Sequence, residues 1–402
     1  KEYNEQQQVI ELDKILNNAQ KIASTGFDVV KGKKKTKLKG ISDAISYIAR
    51  ESRGLSQTKM SIKTEGQIVS EEDVKQAKED YNKTEANPTD SIGIQTWLKE
   101  IDESTGGLKS GELMIVTAFT GHCKTTFSLN QAYRALYGGW NTAFVTLEMS
   151  FKELRDKIYV LHSCNPRFRT IYPKYAHLVG TITYNNVRYG QLNSEEKEYY
   201  FKVIEDFESS VESSEYGRFF IWQPERTVTT LSDIDLKFRE YQQECQLSGR
   251  NLEFGVIDYI SLMGADEGER TRDPNETVNN VVKNLKRFCL TFNNGMGIRI
   301  LSPHQANRDG YREAKKNEGL YDLTALSNAH EVERSADLVI STFKFDSDGD
   351  NNRLKLCCLK NRRNKFFKPF DACIDFDTGF IWNYSHTIEN SDNLMDLSEV
   401  LK

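Results

Sequence analysis

The chain has 402 residues, 38% of them hydrophobic and 28% charged, with a formal net charge of −5. That length suits one large domain with an extension, or two to three domains, and the apolar content can still support a core. The negative balance excludes a global positive field, so contact with nucleic acid must come from local patches, and no apolar run approaches the roughly 18 residues of a membrane span.

In chain order, residues 1–90 differ from the rest. Glu5 to Ile22 has helical spacing, with Val9, Ile10, Leu12, Ile15 and Leu16 clustered on one side. Lys31 to Lys39 is a basic run, expected as a solvated or disordered segment, with nucleic-acid contact as the other reading. Ile41 to Arg53 reads as a second amphipathic helix. Ser70-Glu71-Glu72-Asp73 resembles a capping box opening a charged helix to about Lys83, and Thr84 to Asp90 reads as a linker. The chain therefore divides into a helical N-terminal extension and linker, 1–90, and a larger domain, 91–402.

From about Gly93 short β-rich runs alternate with helical stretches. Strands are expected at Leu113–Thr117, Thr142–Thr146, Arg218–Trp222, Phe254–Asp258, Arg299–Ser302, Ala336–Lys344 and Arg353–Leu359. Helices are expected at Thr126–Tyr137, Leu231–Cys245 and Glu276–Phe292, and a closing hairpin at Ala372–Trp382 around Asp377-Thr378-Gly379. This alternation predicts an α/β fold with a mostly parallel central sheet flanked by helices on both faces. The seven cysteines form no C-x-x-C pair, which speaks against zinc ribbons and thioredoxin chemistry and fits a reducing cytosol. No signal peptide is legible, and a start at Lys1 reads as a trimmed N-terminus.

The chemistry concentrates in Ala118-Phe119-Thr120-Gly121-His122-Cys123-Lys124-Thr125, followed by Thr126. The string approximates a P-loop, with Ala118 and Cys123 in the two glycine positions. It follows an expected strand and precedes an expected helix, as that motif requires. A helix N-terminus offers free N–H groups to phosphate, Lys124 can neutralise β- and γ-phosphates, and the Thr125 hydroxyl can ligate Mg²⁺. Asp258 ends an apolar strand and reads either as a Mg²⁺ partner or as a cap of the next turn. Glu148, after the strand that follows the P-loop helix, reads either as a general base or as a helix-start acid.

Five segments in order resemble the C-terminal motor domain of DnaB-type hexameric replicative helicases, over roughly residues 93–383. They are Thr105-Gly106-Gly107-Leu108 with Gly111-Glu112-Leu113, Ala118 to Thr126, Thr146-Leu147-Glu148-Met149-Ser150, Val256 to Met263, and Leu301 to Arg308. Asp322 to Val339 and Lys360-Asn361-Arg362-Arg363-Asn364 resemble further family segments. The resemblance implies a RecA-like P-loop NTPase fold and an ATP- and Mg²⁺-dependent motor. It implies a homo-oligomeric, hexameric ring on single-stranded DNA at a replication fork, with primase or a loader as candidate partners and no membrane. The location implied is the bacterial or phage-infected cytosol, or an organelle matrix.

Residue by residue, the resemblance assigns Ala118, Thr120, Gly121, His122, Cys123, Lys124, Thr125 and Thr126 to the nucleotide, and Thr125 and Asp258 to Mg²⁺. Glu148 activates water and Gln305 senses the γ-phosphate, with His304 its rival. Lys360 and Arg362 reach a neighbouring subunit's nucleotide, with Arg363 an equally placed rival finger. Loops expected at Gly264–Pro274, with Arg270 and Arg272, and at Asp309–Leu320, with Arg312, Lys315 and Lys316 and Arg308 just before it, would line the DNA channel. Cys123 departs from the family pattern and is expected to weaken nucleotide binding or confer redox sensitivity. That departure and the unfamiliar N-terminus point to a phage or mobile-element relative. The alternatives are a RecA-like DNA-dependent ATPase without unwinding, such as a recombination mediator or regulator, and a subunit that binds nucleotide only structurally.

Overall fold

A computed structural model describes residues 2–31, 34–44, 47–48, 71–86, 92–225, 228–266, 273–326, 330–345 and 352–383. They fall into two units, Lys1–Asn87 and Pro88–Lys402.

In the first unit, α1 (Glu2–Ser24) buries Ile15, Ala19 and Ile22, spaced by four and three residues, against Ala44 and Tyr47. The basic run is ordered rather than disordered where it is described, and Lys37 and Lys39 are exposed as in a solvated run. Much of it forms β2 (Lys34–Leu38), antiparallel to β1 (Phe27–Lys31). The pairing is anchored where Phe27 lies opposite Leu38, because both pack on the same small core. Residues 41–44 and 47–48 are helical, while the rest of the Ile41–Arg53 expectation lies outside the described residues. Helix α2 (Glu71–Ala86) continues past Thr84, where the linker was expected to begin. Ser70 and residues 87–90 lie outside the described residues.

The second unit runs α3 (Lys99–Thr105), β3 (Leu113–Ala118), α4 (Lys124–Tyr137), β4 (Thr142–Thr146), α5 (Phe151–Ser163), α6 (Phe168–Ile171), α7 (Tyr184–Tyr189), α8 (Ser194–Glu212), β5 (Phe219–Trp222), β6 (Thr229–Thr230), α9 (Leu231–Gln246), β7 (Phe254–Asp258), β8 (Met263–Gly264), α10 (Pro274–Thr291), β9 (Arg299–Gln305), α11 (Arg308–Lys316), α12 (His330–Ser335), β10 (Leu338–Lys344), β11 (Arg353–Asn361), β12 (Phe370–Ile374) and β13 (Ile381–Asn383). Nine strands form one sheet in the order β13-β12-β11-β10-β3-β9-β7-β4-β5. The six from β10 to β5 pair in parallel, and β11, β12 and β13 extend one edge antiparallel.

Burial on both faces explains the near-continuous apolar strands. Met114 and Val116 of β3 face one core with Phe127, Leu136 and Phe144. Leu113 and Ile115 face the other with Ile234, Leu285 and Ile300. Helices α5 to α8, which carried no assignment in the sequence, enclose an aromatic core of Phe168, Tyr175, Tyr199 and Tyr200. A readable signal was present there, because Asn193 and Glu196 form a reciprocal capping box at the start of α8. The carboxyl ends of the parallel strands converge on one crevice, where ligands of open α/β sheets bind.

Candidate nucleotide site

The turn between β3 and α4 follows from two left-handed residues, Gly121 (φ 81°) and Cys123 (φ 65°). Glycine takes such angles without cost, whereas a Cβ makes them unfavourable. Cys123 caps α4 without a side-chain bond, so the first N–H groups of that helix have no side-chain acceptor from it. Burial pushes the Cys123 thiol up to about 11. A raised thiol favours the protonated form, which is the less nucleophilic one. His122 is buried below the turn; its carbonyl accepts from the Thr342 hydroxyl at 2.6 Å and its Nδ1 accepts from the Lys344 N–H at 3.0 Å.

Lys124 opens α4, and its Nζ donates to the Ala118 and Phe119 carbonyls, both at 3.0 Å. Burial pulls its ammonium down to about 8, with the Asp258 and Glu148 carboxylates opposing. Asp258, at the end of β7, is buried. Its Oδ1 accepts from the Thr125 hydroxyl at 3.4 Å, and its Oδ2 is buried without a hydrogen-bond partner. Burial pushes this carboxyl up to about 6; the Glu148 carboxylate adds to that, while Thr125 and Lys124 oppose it. An orphaned carboxylate oxygen beside a hydroxyl suits Mg²⁺, a hard cation that takes few protein ligands and completes its shell with phosphate and water. Among the described residues no three His, Cys, Asp or Glu converge into a denser metal cluster.

The register sets Thr146, the last residue of β4, beside Asp258. A turn held by the Thr146 hydroxyl, which accepts from the Met149 N–H at 3.0 Å, then presents exposed Glu148. Glu148, Thr125 and Thr126 line a cavity of about 570 Å³ that extends to Tyr184 and the Phe376–Gly379 turn. On β9, Gln305 lies opposite Ala118 and its Nε2 donates to the Thr120 hydroxyl at 3.1 Å. Its rival His304 lies beneath, opposite Thr117, with Nδ1 buried and unpartnered. Burial pulls that imidazole down to about 4, with Lys124 adding to it. Residues Ala118 to Thr126, Glu148, Asp258 and Gln305 are thus brought together.

Lys360, Arg362 and Arg363 are not. Lys360 lies opposite Val339, itself opposite Ile115, and Asn361 lies opposite Leu338. Three strand positions, roughly 10 Å, separate Lys360 from the level of Ala118, and Arg362 lies further away. Lys360 donates to the Glu333 and Arg334 carbonyls. Arg362 pairs with Asp337 at 3.1 Å, and Arg363 with Glu112 at 2.5 Å.

The second expected channel loop is largely the helix α11, because the Asn307 side chain caps it by accepting from the Gly310 N–H at 2.7 Å. Exposed Arg308, Arg312, Lys315 and Lys316 lie on it. Arg312 pairs with Asp309 at 3.1 Å and Lys316 with Glu313 at 2.8 Å. Arg270 and Arg272 lie outside the described residues. Sequence reasoning missed an aromatic pile against the P-loop. Phe119 stacks on Tyr311 with centroids 4.4 Å apart and 12° between planes, and His122 lies between Tyr311 and Phe343, at 5.1 and 4.7 Å. Aromatic residues scattered over more than 200 positions carry no periodic signal of such contact.

The profile of the DnaB-like helicase C-terminal domain matches residues 93–368. The replicative DNA helicase DnaB of Mycoplasma pneumoniae is 24% identical over 305 residues, covering 73% of this chain and 58% of the relative. That of Geobacillus stearothermophilus is 22% identical over 300 residues, covering 72% and 58%. The chain thus spans less than two thirds of the length of these relatives. The fold is similar to the ATPase domain of G40P, with a TM-score of 0.62 and 15% identity over 79% of this chain and 99% of that one. It is also similar to a DnaB-like replicative helicase studied with its primase interactions, with a TM-score of 0.60 and 15% identity over 95% and 77%.

Proposed function

The chain belongs to the DnaB-like helicase C-terminal domain family, and from that membership we propose that it is the ATP-hydrolysing motor of a replicative DNA helicase. The observation that carries the reading is the convergence of Lys124, Thr125, Glu148 and Asp258 at the carboxyl ends of β3, β4 and β7, with Asp258 Oδ2 unpartnered. The first turn of α4 and Lys124 bind the phosphates. Thr125 and Asp258 would hold Mg²⁺, which would supply charge neutralisation on the phosphates. Glu148 orients the attacking water and takes its proton, and Gln305 reports the γ-phosphate to β9.

Lys360 and Arg362 serve a neighbour's nucleotide, a reading supported by their distance from the P-loop of their own chain. Head-to-tail contact of this kind closes a ring, here a hexamer around single-stranded DNA, with α11 facing the strand. Residues 91–402 form the motor and 1–90 a helical extension and linker. A primase or a loader is the partner expected, and the bacterial or phage-infected cytosol, or an organelle matrix, is the location expected. No described helix is long and apolar enough to cross a membrane.

Forked-DNA unwinding and subunit mixing test this reading. Lys124→Ala and Arg362→Ala proteins should each hydrolyse ATP at least about 100-fold more slowly than wild type. Mixed together they should regain activity, because some interfaces then combine an intact Lys124 with an intact Arg362. No recovery on mixing would refute the finger in trans, and DNA-stimulated hydrolysis without strand separation would refute the helicase.

A further inference from the structure

Phe119 is held at three points. Its carbonyl accepts from Lys124 Nζ at 3.0 Å, its N–H donates to the Tyr321 hydroxyl at 3.2 Å, and its ring stacks on Tyr311. Tyr311 and Tyr321 belong to one continuous segment that begins at Gln305, whose side chain holds neighbouring Thr120. On α11, Tyr311 neighbours Arg308 and Lys315, at spacings of three and four residues. The helix that carries the basic side chains therefore meets the P-loop through Tyr311, which stacks on Phe119 and lies against His122. Lys124 Nζ meanwhile donates to the Ala118 and Phe119 carbonyls, so Phe119 is one of the two residues that position the lysine.

We propose that Tyr311 and Tyr321 are positioning residues that couple α11 to Lys124 through Phe119. A strand engaging α11 shifts Tyr311, Phe119 follows its stacked partner, and its carbonyl releases the lysine toward phosphate. The proposal rests on the motor reading above and assigns residues that reading does not use.

Two measurements test it. In hydrogen exchange, a non-hydrolysable ATP analogue should change the exchange of residues 308–321 in the wild-type protein, and Phe119→Leu should abolish that change while the analogue still binds. In hydrolysis assays, the ratio of rates with and without single-stranded DNA should fall about fivefold in Tyr311→Leu, the size expected of one aromatic pair. Tyr311→Phe, which keeps the ring, should restore the ratio. An unchanged ratio in Tyr311→Leu, or an exchange change that survives Phe119→Leu, would overturn the coupling. A wild-type protein that DNA does not stimulate, with the exchange response intact, would overturn the motor reading and leave the contact between α11 and nucleotide standing.

Discussion

Asp258 and Lys124 share one site, and burial pushes both toward their neutral forms. The Asp258 carboxyl is raised to about 6, so its contribution to the stability of the empty protein is present below the ordinary carboxylate range and is lost as pH rises through about 6. Mg²⁺ needs the ionised form, so metal-dependent nucleotide affinity should weaken about tenfold per pH unit below about 6. Titration calorimetry between pH 5 and 7 checks this, and in Asp258→Asn only the dependence due to the nucleotide's own phosphate should remain. Lys124 is depressed to about 8, so its contribution is present above the ordinary lysine range and is lost as pH falls through about 8. At neutral pH the charged ammonium is held at a cost that a bound phosphate offsets. Cys123 shows the backbone cost at the same site. Its φ of 65° costs a side-chain-bearing residue roughly 1–2 kcal/mol, and glycine gives back about 0.5–1 kcal/mol in chain entropy. Cys123→Gly should therefore stabilise the protein by about 0.5–1 kcal/mol, read as a small rise in melting temperature.

Among elements, α4 and the closing hairpin are joined by two buried side chains, Asn130 and Arg134, whose guanidinium donates to the Ile381 carbonyl. Asn130 Nδ2 donates to the Gly379 carbonyl at 2.7 Å and to the Thr126 carbonyl at 2.8 Å, and its Oδ1 accepts from the Ile381 N–H at 3.1 Å. Asn130→Ala leaves the hairpin groups buried and unpaired, at about 2–3 kcal/mol. The expected fall in melting temperature is about 3–5 °C for a domain of this size, read by calorimetry. Nucleotide affinity should fall with it, because the Phe376–Gly379 turn lines the cavity beside Thr126. The two strand partners of β3 differ in what they bring. On one side β9 delivers Gln305 to the P-loop, while on the other β10 leads through β11 to Arg362 at the far end of the sheet.

For the whole molecule, a net charge of −5 opposes the proposed contact with single-stranded DNA, which in this reading falls to Arg308, Arg312, Lys315 and Lys316 of α11. Each of Arg312→Ala and Lys316→Ala should reduce the slope of log affinity against log salt by about 0.7 on single-stranded DNA. Fluorescence anisotropy across salt concentrations measures it, and a slope unchanged in both variants would remove α11 from the DNA contact.

The sequence by itself determined the strand runs, the parallel sheet and the order of Lys124, Glu148, Asp258 and Gln305. The reason is that strands buried on both faces are written as apolar runs, and phosphate chemistry needs fixed residue types where such strands end. Tertiary structure alone decided the rest. Strand register set Gln305 above and His304 below, and sent Arg362 away from the P-loop of its own chain. The pairing of Phe27 with Leu38 drew the lysine run into a hairpin, whereas the Asn307 cap that opens α11 is a local signal the sequence carried. Contacts such as Phe119 on Tyr311 join residues far apart in the chain. No local pattern encodes them, because packing in three dimensions, not spacing along the backbone, selects which side chains meet.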